Sequence, residues 1–268
     1  MQIFKPNVGR AIAAPSVPDI DQIVRDARSA VFLVPQDANA EISVPKYIAQ
    51  SAAAVKVGAT DVIVERLGAD GGRAALATIV RELHSVPPEV RGGIQSVMGA
   101  GGKRLDDFVR DLAYPDGDGR YTGAEYNTVN KSIVMYRLAD LEPAKVIFNL
   151  NHEIGHHIET VEPAAFRGWA EIQRRDMAAS RGVTLMRSAD ELHAPQAGKL
   201  GVTGYGDTSV SEDIAESLAL LRLEQRNGPV ARRTDGAGGV PVTFAELYPH
   251  RTAAILQTRL GAAFVTRS

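Results

Sequence analysis

Apolar positions along the first third of the chain recur at helical intervals. Residues 19–33 carry Ile20, Ile23, Val24, Ala27 and Val31 close to a 3.6-residue period, and 45–57 and 74–83 read the same way, punctuated by Gly68, Gly71 and Gly72. Val86-Pro87-Pro88 opens a further helix that fades at Gly99, Gly101 and Gly102. Asp116-Gly117-Asp118-Gly119 marks a turn, and the period then shortens. Residues 123–127 and 132–138 predict a hairpin, because Ile133-Val134-Met135-Tyr136 is short, apolar and β-favouring. Pro143 suits the first turn of a helix that runs toward Glu159 and stops before Pro163. Residues 164–179, 211–226 and, after the glycine-rich 236–239, 243–260 complete the helical set. Strands in the middle with helices on either side predict an α+β fold, mostly helical with a small β-sheet. A boundary near residue 85 separates a helical N-terminal extension or subdomain, 1–85, from 86–268.

Composition narrows the functional classes. A chain of 268 residues can bury a substantial core as one large domain or two small ones. Thirty Lys and Arg against 32 Asp and Glu leave a net charge of −2, which gives no electrostatic case for a nucleic-acid or membrane-surface partner. No apolar run is long enough to span a bilayer. With no cysteine, thiolate metal sites, disulfides and cysteine nucleophiles are excluded, so any metal must be held by His, Asp or Glu. Pro6 and the lack of a continuous apolar stretch near the N-terminus do not fit a Sec signal peptide, which leaves residence inside the cell, export by another route, or a signal that is not part of this sequence. Asp116 and Asp118 resemble the start of a calcium loop, but Tyr121 stands where that loop requires glycine.

Residues 151–159 read NHEIGHHIE, so His152, Glu153 and His156 form an HExxH motif. Histidines four apart lie on one helix face, roughly 6 Å apart, and both rings can reach one ion. Ile147, Leu150, Ile154 and Ile158 form the opposite, core-facing stripe. Glu153 sits about 100° round the helix from His152, beside the ion rather than on it. A base is needed there to take a proton from the attacking water. Imidazole and carboxylate donors without redox chemistry favour Zn²⁺.

A catalytic zinc wants a third protein ligand. Glu159 and Glu162 occupy the positions where a metzincin would carry glycine and histidine, so that class fails. Glu159 is about 10 Å along the axis from His152 and poorly placed to share the ion. His157 points toward the edge of the apolar face and reads as structural, while His84, His193 and His250 each stand alone. A better donor lies downstream, where Glu212 and Glu216 are four apart on a helix whose buried side is Ile214, Leu218 and Leu221. Glu212 would reach the ion and Glu216 would stand one turn further on, against a histidine ligand. Ser209-x-x-Glu212 is equally a capping box, in which the Glu212 side chain reaches only a backbone N–H. On the residues alone the two readings stand level.

The HEIGHH segment, the later Tyr205-Gly206 and the acidic pair in SEDIAES resemble the catalytic domain of anthrax lethal factor and its relatives, the Pro-Pro endopeptidases. His152, Glu153, Gly155 and His156 match the HExGH helix of that family. Glu212, Ala215 and Glu216 match its E-x-x-A-E helix, and Tyr205 stands seven residues before Glu212, as the family's site tyrosine does. Pro87-Pro88, Tyr126-Asn127 before a strand, and 244–249 match more loosely, so the resemblance covers roughly residues 85–260. It implies a gluzincin-type zinc endopeptidase, with His152, His156 and Glu212 as metal ligands and Glu153 as general base. Tyr205 would stabilise the oxyanion, and Glu216 would orient the site. It also implies a protein or peptide substrate, added as a strand to one edge of the 123–138 hairpin. Export by a non-Sec route follows from the family too, as a secreted protease or an injected toxin or effector, with a cytoplasmic location left open. Two alternatives remain at this level, a zinc hydrolase of a non-peptide amide and a non-catalytic binding module on the same scaffold.

Overall fold

In the computed structural model, the described residues are 19–35 (without 21 and 23–25), 47–65, 71–101, 122–177 (without 139), 183–185, 200–229, 231–233 and 241–266. Within them the protein is a mixed α+β structure. Three strands come first, β1 (Arg28–Pro35), β2 (Tyr47–Val57) and β3 (Thr60–Glu65), followed by helix α1 (Gly71–Ser85) and the short α2 (Pro88–Arg91). Strands β4 (Ser96–Gly99), β5 (Ala124–Asn127) and β6 (Ser132–Met135) lead into the long helix α3 (Pro143–Val161). After a 3₁₀ turn at Pro163–Phe166 come α4 (Trp169–Met177), β7 (Val183–Leu185) and the second long helix, α5 (Val210–Asn227). Strands β8 (Ala231–Arg233) and β9 (Pro241–Val242) precede three short helices, α6 (Phe244–Leu247), α7 (Pro249–Gln257) and α8 (Arg259–Thr266).

The main sheet has six strands in the order β1-β2-β3-β4-β6-β5, and a second sheet orders β7-β8-β9. β3 pairs parallel with β4 and β4 parallel with β6, whereas β1–β2, β2–β3 and β5–β6 are antiparallel. Strands from both sides of residue 85 therefore hydrogen-bond within one sheet. The apolar core likewise joins Val62 and Val64 of β3, Leu76 and Ile79 of α1, Leu150 and Ile154 of α3, and Leu218 of α5. No helix among the described residues is long and apolar enough to cross a membrane.

The hairpin at 123–138 and the helices over 74–83, 143–159 and 211–226 form as the periodicity predicts. Two expected helices do not. Residues 28–33 of the 19–33 segment and 47–57 of the 45–57 segment are strands β1 and β2. Ala52, Ala53 and Ala54 favour a helix locally, but β2 is paired on both sides, to β1 and to β3, and this long-range pairing overrides the local preference. The helix expected after Val86 is limited to Pro88–Arg91, because Val97 is buried in β4 between two parallel partners. The 164–179 helix breaks at Gly168, whose φ of +81° is a left-handed value that favours glycine. The single helix expected over 243–260 is divided, with Pro249 opening α7 and extended backbone at Thr258 closing it. The turn at 116–119, the glycine-rich 236–239 and His193 lie outside the described residues.

Candidate metal centre

Helices α3 and α5 cross at two small residues. A Cβ added to Gly155 would lie 2.8 Å from the Ala215 Cα, a distance real Cβ contacts do not reach. A methyl there would force the helices apart, an overpacking that costs about 1–3 kcal/mol. Gly155 and Ala215 thus explain the small positions inside both motifs. They let the two backbones approach until side chains on either side of the crossing share one space.

Into that space project His152, His156 and Glu212. His152 Nε2 lies 2.9 Å from Glu212 Oε2, His156 Nε2 lies 3.3 Å from the same oxygen, and the two Nε2 atoms are 3.1 Å apart. The rings meet edge to face, their centroids 4.8 Å apart. Glu212 Oε2 is buried and makes no hydrogen bond of acceptable geometry, although two ring nitrogens are within reach. The two Nε2 atoms hydrogen-bond to each other, and the three donor atoms converge on a common point. Tetrahedral zinc with bonds of about 2.0–2.1 Å separates its ligands by about 3.3–3.4 Å, close to what these atoms show. The group could hold a metal ion, and it fits one with imidazole and carboxylate preferences.

Glu212 therefore does not close the capping box. Ser209 caps α5 by accepting the Glu212 backbone N–H at 3.1 Å, while the Glu212 carboxylate turns to the histidines. Glu216, one turn on and 2% exposed, brings Oε1 to 3.2 Å from His152 Nδ1. Burial would lower the pKa of His152, but the Glu212 and Glu216 carboxylates more than reverse this and raise it. Burial would likewise raise Glu212, yet the two imidazoles hold it well below the usual carboxylate range. Metal binding at such a group is linked to proton release, because an imidazole must give up its proton to act as a ligand.

Glu153 stands beside the group and outside it, 4% exposed. Burial, its largest influence, pushes its pKa up, and the Glu212 and Glu125 charges add to this while His152 and His156 oppose it. The result is a carboxylate more basic than an exposed glutamate. Tyr205 stacks obliquely on His152, with centroids 5.7 Å apart, and 56% of its surface stays open to solvent, so an arriving substrate could meet it. Burial of its hydroxyl end and the carboxylates of Glu212, Glu153 and Glu216 push the phenol's pKa up, which keeps its proton in place for donation.

The turn that presents Tyr205 is fixed by two local threonine hydrogen bonds and by deeper contacts between residues far apart in the chain. Gly206 N–H donates to Thr203 Oγ1 at 2.9 Å, and Thr208 Oγ1 donates to the Tyr205 carbonyl at 2.7 Å. Deeper down, fully buried Asp213 accepts from the Val202 N–H at 2.7 Å, the Trp169 indole at 2.6 Å and Arg251 Nε at 3.0 Å. Arg251 also donates to the Leu200 carbonyl and, with its backbone N–H, to Asp176. This pair of buried acids around one guanidinium ties the 200–207 segment to α5, α4 and α7. In a second group, buried Glu82 lies beside buried Arg222 and the more exposed Arg226, accepts from Asn151 Nδ2 at 3.1 Å and so anchors α3 beside His152.

Among the described residues, the other histidines lie outside the three-donor group. His157 is buried over Gly93, 2.9 Å from the Tyr126 hydroxyl, and burial, followed by the Lys131 charge, holds its pKa down to about 4. It is the structural residue its place on the helix predicts. His84 and His250 lie apart from the centre; His250 contributes its backbone N–H to Asp176. Glu159 approaches His156 only at the far nitrogen, Nδ1, at 3.7 Å, so it does not join the three donors. The core stripe of α3 runs through Val146, Leu150, Ile154 and Ile158, with Val146 rather than Ile147 as its first fully buried member. No family model, curated protein or solved structure matches the chain.

Proposed function

We propose that the protein is a zinc-dependent endopeptidase of the gluzincin type, akin to the lethal factor and Pro-Pro endopeptidase family that its motifs resemble. The observation that carries this reading is the convergence of His152 Nε2, His156 Nε2 and Glu212 Oε2 within 3.3 Å of one another, with buried Glu153 alongside. Zinc, when bound by these residues, supplies the Lewis acid that polarises the scissile carbonyl and makes water nucleophilic at neutral pH. Glu153 takes the proton of the attacking water and returns it to the leaving amine. Glu216 holds His152 in orientation from its far nitrogen. The edge position of β5, beside α3, suits a peptide that adds as a further strand and lays its carbonyl over Glu153 and Tyr205. A base beside a three-donor group supports hydrolysis over a purely structural metal site, which gains nothing from one.

The test is metal analysis of the purified protein combined with turnover of a mixed peptide library. The expected outcome is one zinc per chain and cleavage that stops with a chelator and returns with Zn²⁺. Zinc binding without cleavage of any peptide would overturn the endopeptidase reading, and failure to bind zinc would overturn the metal centre itself.

Tyr205 gives a finer test. As negative charge builds on the carbonyl oxygen, a phenol that keeps its proton donates a hydrogen bond to it. Tyr205→Phe retains the ring that stacks on His152 and removes only the hydroxyl. We expect zinc content and thermal midpoint unchanged and kcat lower by roughly 10²–10³-fold, the usual effect of losing one oxyanion donor. Wild-type kcat in a zinc-loaded Phe variant would reduce Tyr205 to a packing residue.

A further inference from the structure

Each imidazole that faces Glu212 through Nε2 has a second nitrogen on its far side, and the two are met differently. His152 Nδ1 has the Glu216 carboxylate 3.2 Å away, a charge contact without hydrogen-bond alignment. His156 Nδ1 meets the Ser211 hydroxyl at 3.2 Å, and that hydroxyl donates to Glu159 Oε2 at 2.5 Å. A serine hydroxyl has one proton to give. Since Ser211 gives it to Glu159, the oxygen can only accept from His156. The ring proton of His156 is thereby fixed on Nδ1, and the lone pair is left on Nε2, the nitrogen that faces His152 and Glu212.

We infer that Ser211 and Glu159 form a relay that fixes His156 as an Nε2 donor and strengthens it, which makes both of them positioning residues of the metal centre. The inference rests on the metal-binding reading above. Among the described residues, neither has another evident task. Ser209 already caps α5, so Ser211 is not needed there. Glu159 stands in the last turn of α3, where a helix end disfavours negative charge and no basic side chain in that turn offsets it. Ser211 also adjoins Glu212, so one turn of α5 grips His156 at both nitrogens. A carboxylate behind a ligand histidine raises its basicity as a donor, and here the hydroxyl passes that effect across a gap the carboxylate does not close by itself.

The experiment measures Zn²⁺ affinity of the full-length, metal-stripped protein by competition with a chelator, and follows Co²⁺ binding by its visible absorption. Ser211→Ala and Glu159→Gln should each weaken Zn²⁺ binding by about 10–100-fold. Ser211→Thr, which keeps a hydroxyl, should stay near wild type. Because Glu159 acts through Ser211, the double variant should bind no more weakly than Ser211→Ala alone, and thermal midpoints of the metal-free proteins should be unchanged. Glu159→Gln, at a position a quarter exposed, reads the relay even if Ser211→Ala disturbs the start of α5. Wild-type affinity in both single variants, or fully additive losses in the double variant, would overturn the relay while leaving the centre standing. A wild-type protein that binds neither Zn²⁺ nor Co²⁺ would remove the metal reading and the relay together.

Discussion

Glu153→Gln should leave the protein folded and metal-loaded and lower peptide hydrolysis by roughly 10²–10⁴-fold. Glutamine has the shape of glutamate, so the buried space beside His152 stays filled and α3 keeps its packing. None of the three converging donor atoms belongs to Glu153, so the metal affinity should not move. What disappears is the proton acceptor. The loss should fall on kcat and kcat/KM alike, because proton transfer belongs to the transition state and contributes little to holding the peptide. The measurement is steady-state kinetics on a cleaved peptide, with zinc content and thermal midpoint determined on the same sample. A fully loaded Gln variant that turns over within a few-fold of wild type would contradict the role of Glu153 as base.

The site was more legible in the sequence than the fold around it, for a physical reason. Its parts sit on two helices whose spacing rules are local: a step of four from His152 to His156, a step of four from Glu212 to Glu216, and an apolar stripe to orient each helix. The capping-box ambiguity at Glu212 could not be settled locally, because it depends on whether α3 passes within reach of that side chain. The Gly155–Ala215 crossing decides it. The N-terminal strands were illegible for the opposite reason. Alanine-rich β2 is a strand because β1 and β3 flank it, a fact that lies outside its own residues. β3 did carry a sign, the short β-branched run Val62-Ile63-Val64 after a glycine, and in the structure Thr60, Val62 and Val64 are its buried face.

The supports of the site were the least visible part. Asp213, Arg251 and Asp176 are far apart in the chain, and each alone reads as an ordinary surface charge; only the tertiary fold makes them a buried group. Ser211 and Glu159 are also unremarkable singly, and Glu159 was rejected as a ligand on distance along the helix axis. Glu159 faces Nδ1 and not the converging Nε2 atoms. Distance along the axis bears on direct ligation and not on a residue that acts through a hydroxyl supplied by another helix.

Glu212→Ala should leave the protein without metal at concentrations that saturate the wild type, and without hydrolysis. Its carboxylate is the one donor that α5 brings to the two histidines of α3, so its removal leaves two imidazoles four residues apart on a single helix. Two such ligands lack the chelation that a second helix provides. The fold should survive. The Ser209 cap takes its hydrogen bond from the backbone N–H of residue 212, which alanine keeps, and Ile214, Leu218 and Leu221 still hold α5 in the core. The thermal midpoint of metal-free Glu212→Ala should therefore match that of metal-free wild type, while added Zn²⁺ should raise the wild-type midpoint and not the variant's. Glu159→Ala distinguishes a ligand from a relay partner in the same assay. It should bind zinc more weakly but still load at high concentration and still cleave peptide. If Glu212→Ala instead kept wild-type zinc affinity and Glu159→Ala lost it, the third ligand would be Glu159, and the convergence seen at Nε2 would not be the metal centre.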